Sequence, residues 1–255
     1  MSEGMDLERT KQSSRTDRNI RIETLFPEIA NLYGDHANIR YLKLCLPDAE
    51  YVEDMLSAEP HFATEKPDMI YMGPMTEHQQ ELVINKLRPY IDRIKELIEQ
   101  NVVFLMTGNA MEIFWDRIEN EDGTSIEGLG IFHYVAKRRM FNRYNSAVMG
   151  LLGDIKLVGF KSQFTHSYGD NSSEYMYEVT KGDGINRETK YEGVRRNNFM
   201  GTYTLGPILI LNPDFTLYLQ KLLGVEEPKL VYEAPMRDAY EERVRQYEET
   251  EFVLT

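Results

Sequence analysis

Two hydrophobic periods alternate along the first half of this chain, and they predict a β-α-β-α-β order. Residues 20–25 alternate as a short strand that Phe26-Pro27 stops, because proline has no N–H for a ladder. After a loop at residues 31–34, Asp35 stands where it could cap a helix running to about Leu46. That helix would place Ile39, Leu42 and Cys45 on one face, with Cys45 as a buried structural thiol. Residues 69–72 form a second apolar strand ending at Gly73-Pro74. Residues 78–100 then carry Val83, Leu87, Ile91, Ile94 and Ile98 at helical spacing, split in two by Pro89. Residues 102–106 are apolar without alternation, as expected of a parallel strand covered on both faces. The whole is a doubly wound α/β pattern with its site at the carboxyl edge of the sheet.

The second half is dominated by short strand signals at residues 146–151, 156–160, 175–179 and 199–203, which predict a smaller additional sheet. Asp122-Gly123 and Gly182-Asp183-Gly184 read as turns. Asn212-Pro213 supplies an N-cap and first-turn proline for a helix with Phe215, Leu219 and Leu222 inward, ending at Gly224. Residues 238–249 could form an amphipathic helix with Tyr240, Val244 and Tyr247 on one stripe. The expected organisation is a disordered leader at 1–19, a domain at 20–224, and an acidic, helical extension at 225–255.

With 255 residues, 42% hydrophobic and 28% charged, the chain can bury a large core. A formal charge of −13 argues against tracking nucleic acid or an anionic membrane, which needs clustered Lys and Arg. The two basic clusters, Lys137-Arg138-Arg139 and Arg195-Arg196, read as solvated faces. One cysteine excludes an internal disulfide and fits the reducing cytoplasm. No apolar run approaches the ~20 residues that span a bilayer, and the first residues lack the apolar region of a secretory signal. The histidines, His36, His61, His78, His133 and His166, show no metal-ligand spacing, so neither metal nor other cofactor is expected. Gly128 and Gly130 are not a dinucleotide fingerprint, and Glu119 and Glu121 read as solubilising residues of a turn.

The chemistry concentrates where the strand at 102–106 enters Thr107-Gly108-Asn109-Ala110 and then Met111 to Phe114. This is the layout of a nucleophile elbow, in which a strained turn projects Cys or Ser and the next backbone N–H serves as oxyanion donor. Its apex residue here would be Gly108. Thr107 should point to the opposite face of the strand and not replace a nucleophile.

Several separate blocks share one likeness: Leu32-Tyr33-Gly34-Asp35 with Asn38-Ile39, the strand from Asp68 to Gly73 followed by Gln79-Gln80, the elbow, Gly123-Thr124 with Glu127-Gly128-Leu129-Gly130, Asn142-Arg143, Gly159-Phe160, and Gly201-Thr202-Tyr203 with Gly206-Pro207. In this order, over about residues 20 to 224, the chain resembles class I glutamine amidotransferases of the cobyric acid synthase branch. It is most similar to the GatD type, the glutaminase subunit that works with a Mur-ligase-like partner on lipid II. The resemblance implies a flavodoxin-like, mostly parallel sheet with helices on both faces, and glutamine hydrolysis that feeds an ATP-dependent synthetase.

Position by position, the resemblance also implies that the chemistry is gone. The family's Cys falls on Gly108 and its catalytic His on Leu205, while its Glu-x-His after the Gly-Phe pair falls on Lys161-Ser162-Gln163. The small residues around the apex become Met106 and Ala110. The oxyanion backbone at Gly73 and Asn109 adjoins Pro74, which has no N–H. Thiolate attack needs both a sulfur and a base, so the expectation is an inactive glutaminase that binds a partner or regulates one. Arg143 matches the substrate-binding Arg and could hold a carboxylate, with Gln163 and His166 as further ligand-binding candidates. Two alternatives stand beside it. One is an active amidotransferase of cobyric acid or peptidoglycan amidation, whose activity would depend on Thr107 or Cys45; the other is a module binding glutamine or another amino acid.

Overall fold

The computed structural model describes residues 19–249. The expected leader at 1–19 therefore lies outside the described residues except for Asn19. In chain order the strands are β1 Arg21–Leu25, β2 Glu50–Asp54, β3 Met69–Met72, β4 Val103–Thr107, β5 Arg117–Glu119, β6 Ser125–Glu127 and β7 Val135–Arg138. They continue as β8 Tyr144–Leu152, β9 Ile155–Gln163, β10 Thr165–Tyr168, β11 Tyr177–Lys181, β12 Tyr191–Glu192, β13 Val194–Arg196 and β14 Phe199–Thr202. The helices are α1 Ala37–Cys45, α2 Glu77–Leu87, α3 Ile91–Glu99, α4 Ile208–Leu211, α5 Pro213–Leu222 and α6 Glu233–Glu249.

The main sheet runs β13-β14-β4-β3-β1-β2, parallel throughout except for the antiparallel edge strand β13. Its central strands divide their side chains between two cores. Ile70, Met72, Phe104 and Met106 join one core with α2 and α3, while Met69, Tyr71, Val103 and Leu105 join another with α1, α4 and α5. Two-sided burial is why β4 reads as an unbroken apolar run. Two four-stranded sheets, β10-β7-β5-β6 and β12-β11-β8-β9, stand where one additional sheet was expected.

Local chemistry accounts for most element ends and corrects several expectations. Thr76 and Gln79 form a reciprocal capping box that starts α2, and Arg88–Tyr90 makes the 3-10 turn at Pro89 between α2 and α3. Asp35 does not cap α1, whose N-cap is His36, because the Asp35 carboxylate turns into the core. Cys45 is half-buried, not a core residue, since it sits on the last turn of the helix. Asn212 holds the expected N-cap position of α5 with Pro213 in the first turn, but its side chain makes no cap bond and instead holds the Val158 backbone, accepting from the N–H at 2.8 Å and donating to the carbonyl at 2.9 Å. Leu222 is only partly buried, and Leu223 takes the core position. Arg138 is buried and Arg196 is paired with Glu174 at 2.8 Å, so neither basic cluster is simply a solvated face.

The edge strand β2, Glu50 to Asp54, carries no apolar run and gave no signal in the sequence. Helix α6 lies on the β8–β9 hairpin. Tyr240 donates to the Lys156 carbonyl at 2.9 Å and Tyr247 to the Gly159 carbonyl at 3.1 Å. Among the described residues, no helix is long and apolar enough to cross a membrane, and no group of His, Cys, Asp or Glu could hold a metal ion.

Candidate functional site

Strand β4 ends at Thr107, and the chain reverses through Gly108 at φ +58° into a 3-10 helix, Gly108–Phe114. The helix after the elbow is thus a tight 3-10 segment. Left-handed φ at this turn suits glycine, because a Cβ crowds the following carbonyl. Gly108 looks into a cavity of about 340 Å³ above the carboxyl ends of β3, β4 and β14, closed on its far side by residues 162–165. Tyr33 and Arg143 stand on the cavity wall as exposed residues.

Hydrocarbon fills the space around the apex. A Cβ added to Gly108 would lie 2.7 Å from Pro74 Cβ and 3.4 Å from Leu205 Cδ2. Leu205 is buried and held by a two-bond bridge to Phe160, at 2.8 and 3.1 Å. Gly159 permits this approach, since a Cβ there would stand 2.4 Å from Thr204 Cγ2. Where an oxyanion would need donors, Pro74 has no N–H, and the Met75 N–H is spent on Asn109 Oδ1 at 3.0 Å. Asn109 Nδ2 returns a bond to the Met75 carbonyl at 2.8 Å, so this side chain clamps the loop. Gly73 packs with its α-carbon against the Ala30 carbonyl; a Cβ there would come within 2.5 Å.

Beneath the apex, Thr107 is fully buried and donates its hydroxyl to Asp35, which also accepts from the Tyr71 hydroxyl. Burial raises the Asp35 carboxyl, while the bonds from Thr107, Tyr71 and Asn38 oppose the rise. Asn38 donates to the Asp35 carbonyl and accepts from the Leu209 N–H, both at 2.9 Å. Residues 35–38 therefore bracket the ends of β3 and β4 against α4.

At the positions matching Glu-x-His, Lys161 is buried and pairs with buried Glu192. Its ammonium also donates to the carbonyls of Asp183 at 2.8 Å and Gly184 at 2.6 Å. Glu192 accepts from Thr202 Oγ1 at 3.0 Å and from the Tyr203 N–H at 2.8 Å. Burial lowers the Lys161 pKa and the Glu192 charge opposes it. Gln163 lines the cavity, donates to the Thr165 carbonyl at 2.5 Å, and leaves Oε1 buried without a partner.

Arg143 places Nη1 3.0 Å from Tyr33 Oη and its guanidinium 4.3 Å from the Phe164 ring centre. Among the described residues, no carboxylate pairs with it. His166 does not line the cavity, because β10 alternates: Thr165 lines it and Ser167 faces Tyr203, while His166 packs edge-on against Tyr144 at 5.1 Å. Burial first, then Lys161 and Arg187, push the His166 imidazole down to about 4. Cys45 lies on α1 outside the cavity lining.

A fully buried acid of the cavity wall escaped the sequence reading. Glu112 is fully buried in the wall, accepting from Tyr203 Oη at 2.8 Å and from Gln80 Nε2 at 2.9 Å. Behind it, Trp115 Nε1 donates to Ser167 Oγ, itself 2.7 Å from Tyr203 Oη, and Arg138 donates to Gln80 Oε1 at 2.6 Å. Desolvation raises the Glu112 carboxyl to about 7 against those hydrogen bonds and the Arg138 charge. The available signal was a lone acid inside the apolar run Met111, Ile113, Phe114.

An elbow at a parallel sheet's carboxyl edge, with the cavity above it, defines an elbow-type α/β protein with its site at the strand ends. The chain belongs to the CobB/CobQ-like glutamine amidotransferase domain family, which it matches over residues 21–212. Among its relatives is the lipid II isoglutaminyl synthase (glutamine-hydrolyzing) subunit GatD of Streptococcus pneumoniae, 25% identical over 230 residues, spanning 84% of this chain and 86% of the relative. The subunit of the same name from Staphylococcus aureus is 29% identical over 206 residues, covering 74% and 78%. The fold is shared with a crystal structure of a glutamine amidotransferase at TM-score 0.51 and 12% identity, over 80% of this chain and 99% of that one. A Thermotoga maritima glutamine amidotransferase follows at 0.50 and 10%, over 91% and 93%.

Proposed function

We propose that this chain is a GatD-like subunit that no longer hydrolyses glutamine and acts in the cytoplasm as a partner-binding or regulatory subunit of an ATP-dependent, Mur-ligase-like synthetase. One observation carries the reading: at the apex there is no side chain, and a Cβ placed there meets Pro74 at 2.7 Å and Leu205 at 3.4 Å. Attack on a carboxamide needs a nucleophile with a base in reach and donors for the oxyanion. Here the base position is hydrocarbon, the Met75 N–H is occupied, and Pro74 offers none. Thr107 and Cys45 supply no substitute, since Thr107 is bonded to Asp35 beneath the sheet edge and Cys45 lies outside the cavity. The partner reading rests on the relatives, each a subunit of a synthase.

The test is glutamate release from glutamine by the pure chain, alone and with a Mur-ligase-like protein from the same cells. The expected rate is background in both cases. Turnover lost on Thr107→Val or Cys45→Ala would instead establish the active-enzyme alternative. Affinity purification that recovers no synthetase would remove the partner half of the proposal.

A further inference from the structure

A second cavity, of about 410 Å³, lies between α4 and α6 and shares no lining residue with the cavity over Gly108. Ile210 and Leu211 line it from α4, and Pro235, Met236 and Ala239 from α6. The two flanking tyrosines spend their hydroxyls on protein: Tyr41 donates to the Val231 carbonyl at 2.7 Å and Tyr240 to the Lys156 carbonyl at 2.9 Å. What they leave to the cleft is ring surface. Its size and apolar lining are those of a small-molecule site, which needs only a few polar groups to orient its ligand.

One such group is present. Residues 235–236, 239–240 and 243 recur one helical turn apart, which sets the half-buried Arg243 at the end of the cleft. The neighbouring arginines of α6 are each held by two carboxylates, Arg237 by Glu233 and Asp214, and Arg245 by Glu242 and Glu249. Among the described residues, no carboxylate pairs with Arg243. On a helix this rich in acids, its guanidinium is the one the fold leaves without a counter-ion beside hydrocarbon.

Such a cleft complements a molecule with one hydrocarbon chain and one anionic head. We propose that the α4–α6 cleft binds a free medium-chain fatty acid, with its carboxylate on Arg243 and its chain against Ile210, Leu211 and Ala239. A carboxylate matches the planar fork of a guanidinium with two parallel hydrogen bonds. The hydrocarbon chain brings no polar group into the cleft, whereas an extended peptide would leave N–H and C=O groups unpaired there. The formal charge of −13 opposes indiscriminate uptake of anions, so a preference for the anion has to come from the site itself. This assignment is independent of whether the chain hydrolyses glutamine.

Calorimetry on the full chain with hexanoate, octanoate and decanoate, each below its micelle concentration, tests it, with 1-octanol and octylamine as controls. Binding should be one to one and tighten by about twofold to fourfold for each added methylene. Octanoate should bind about tenfold tighter than octanol, the share of a charge-assisted bond, and octylamine weaker still. Arg243→Gln should erase the preference for octanoate over octanol and leave octanol unchanged, while Ala239→Trp, at an exposed helix position, should block both by filling the cleft. No saturable binding, equal affinity for octanoate, octanol and octylamine, or a preference that survives Arg243→Gln would overturn the proposal. So would a dimer in sedimentation velocity that Ala239→Trp dissociates, which would make a second copy the occupant, or sedimentation with anionic vesicles without binding of the free acids. The three eight-carbon ligands on the parent chain carry the test if a variant does not fold.

Discussion

Replacing Gly108 by alanine adds a single methyl group and isolates the steric argument. The residue sits at φ +58°, where an L side chain costs roughly 1–2 kcal/mol. The new Cβ also meets Pro74 Cβ at 2.7 Å, and that ring cannot swing away, because the Pro74 carbonyl is bonded to the Leu32 N–H at 3.0 Å. Overpacking of this kind adds about 1–3 kcal/mol. Together the two effects cost about 2–5 kcal/mol, which in a chain of this size lowers Tm on the order of 10 °C. Differential scanning calorimetry of the parent, Gly108→Ala and Gly108→Ala with Pro74→Gly checks it. The double variant should recover the overpacking share and not the backbone share. Gly108→Cys should be destabilised likewise and release no glutamate. A Gly108→Ala protein melting with the parent would refute the claim that the apex is closed.

Three further outcomes follow from buried polar groups. Glu192→Ala should cost about 3–5 kcal/mol in urea unfolding, because it strands the Lys161 ammonium, and Lys161→Met with Glu192→Gln should cost less than that single change. Asp35→Ala leaves the Tyr71 and Thr107 hydroxyls without their buried acceptor and should cost about 2–5 kcal/mol, visible as a lower urea midpoint. Burial pushes the Glu112 carboxyl up to about 7, above the 4.5 of an ordinary glutamate, so the native state holds the extra proton in that window. Its contribution is full below the unfolded pKa and is lost as pH rises through the folded one, with a slope up to about 1.4 kcal/mol per pH unit. The stability of the parent relative to Glu112→Gln should therefore fall between about pH 4.5 and 7, and a flat difference would show that Glu112 is not held protonated. His166, held down to about 4, works the other way below pH 6.5, which is why the comparison must be between variants.

Sequence alone determined the α/β alternation, the two-helix split at Pro89 and the central strands, because helix and strand periods, proline and buried parallel runs are local properties. The identity of the apex residue was legible for the same reason: a glycine cannot carry a nucleophile wherever it sits. Around the site, the expectations that failed were those about polar side chains. Asp35 is not the cap it resembles, and Asn212 keeps its N-cap position without a side-chain cap bond; both side chains bond to partners distant in sequence, Thr107 lying 72 residues from Asp35 and Val158 lying 54 from Asn212. Lys161 and Glu192 are 31 residues apart, and Glu112 and Tyr203 are 91 apart. Only the folded chain brings such groups together, because burying a charge is tolerable only beside the particular partner that the topology delivers.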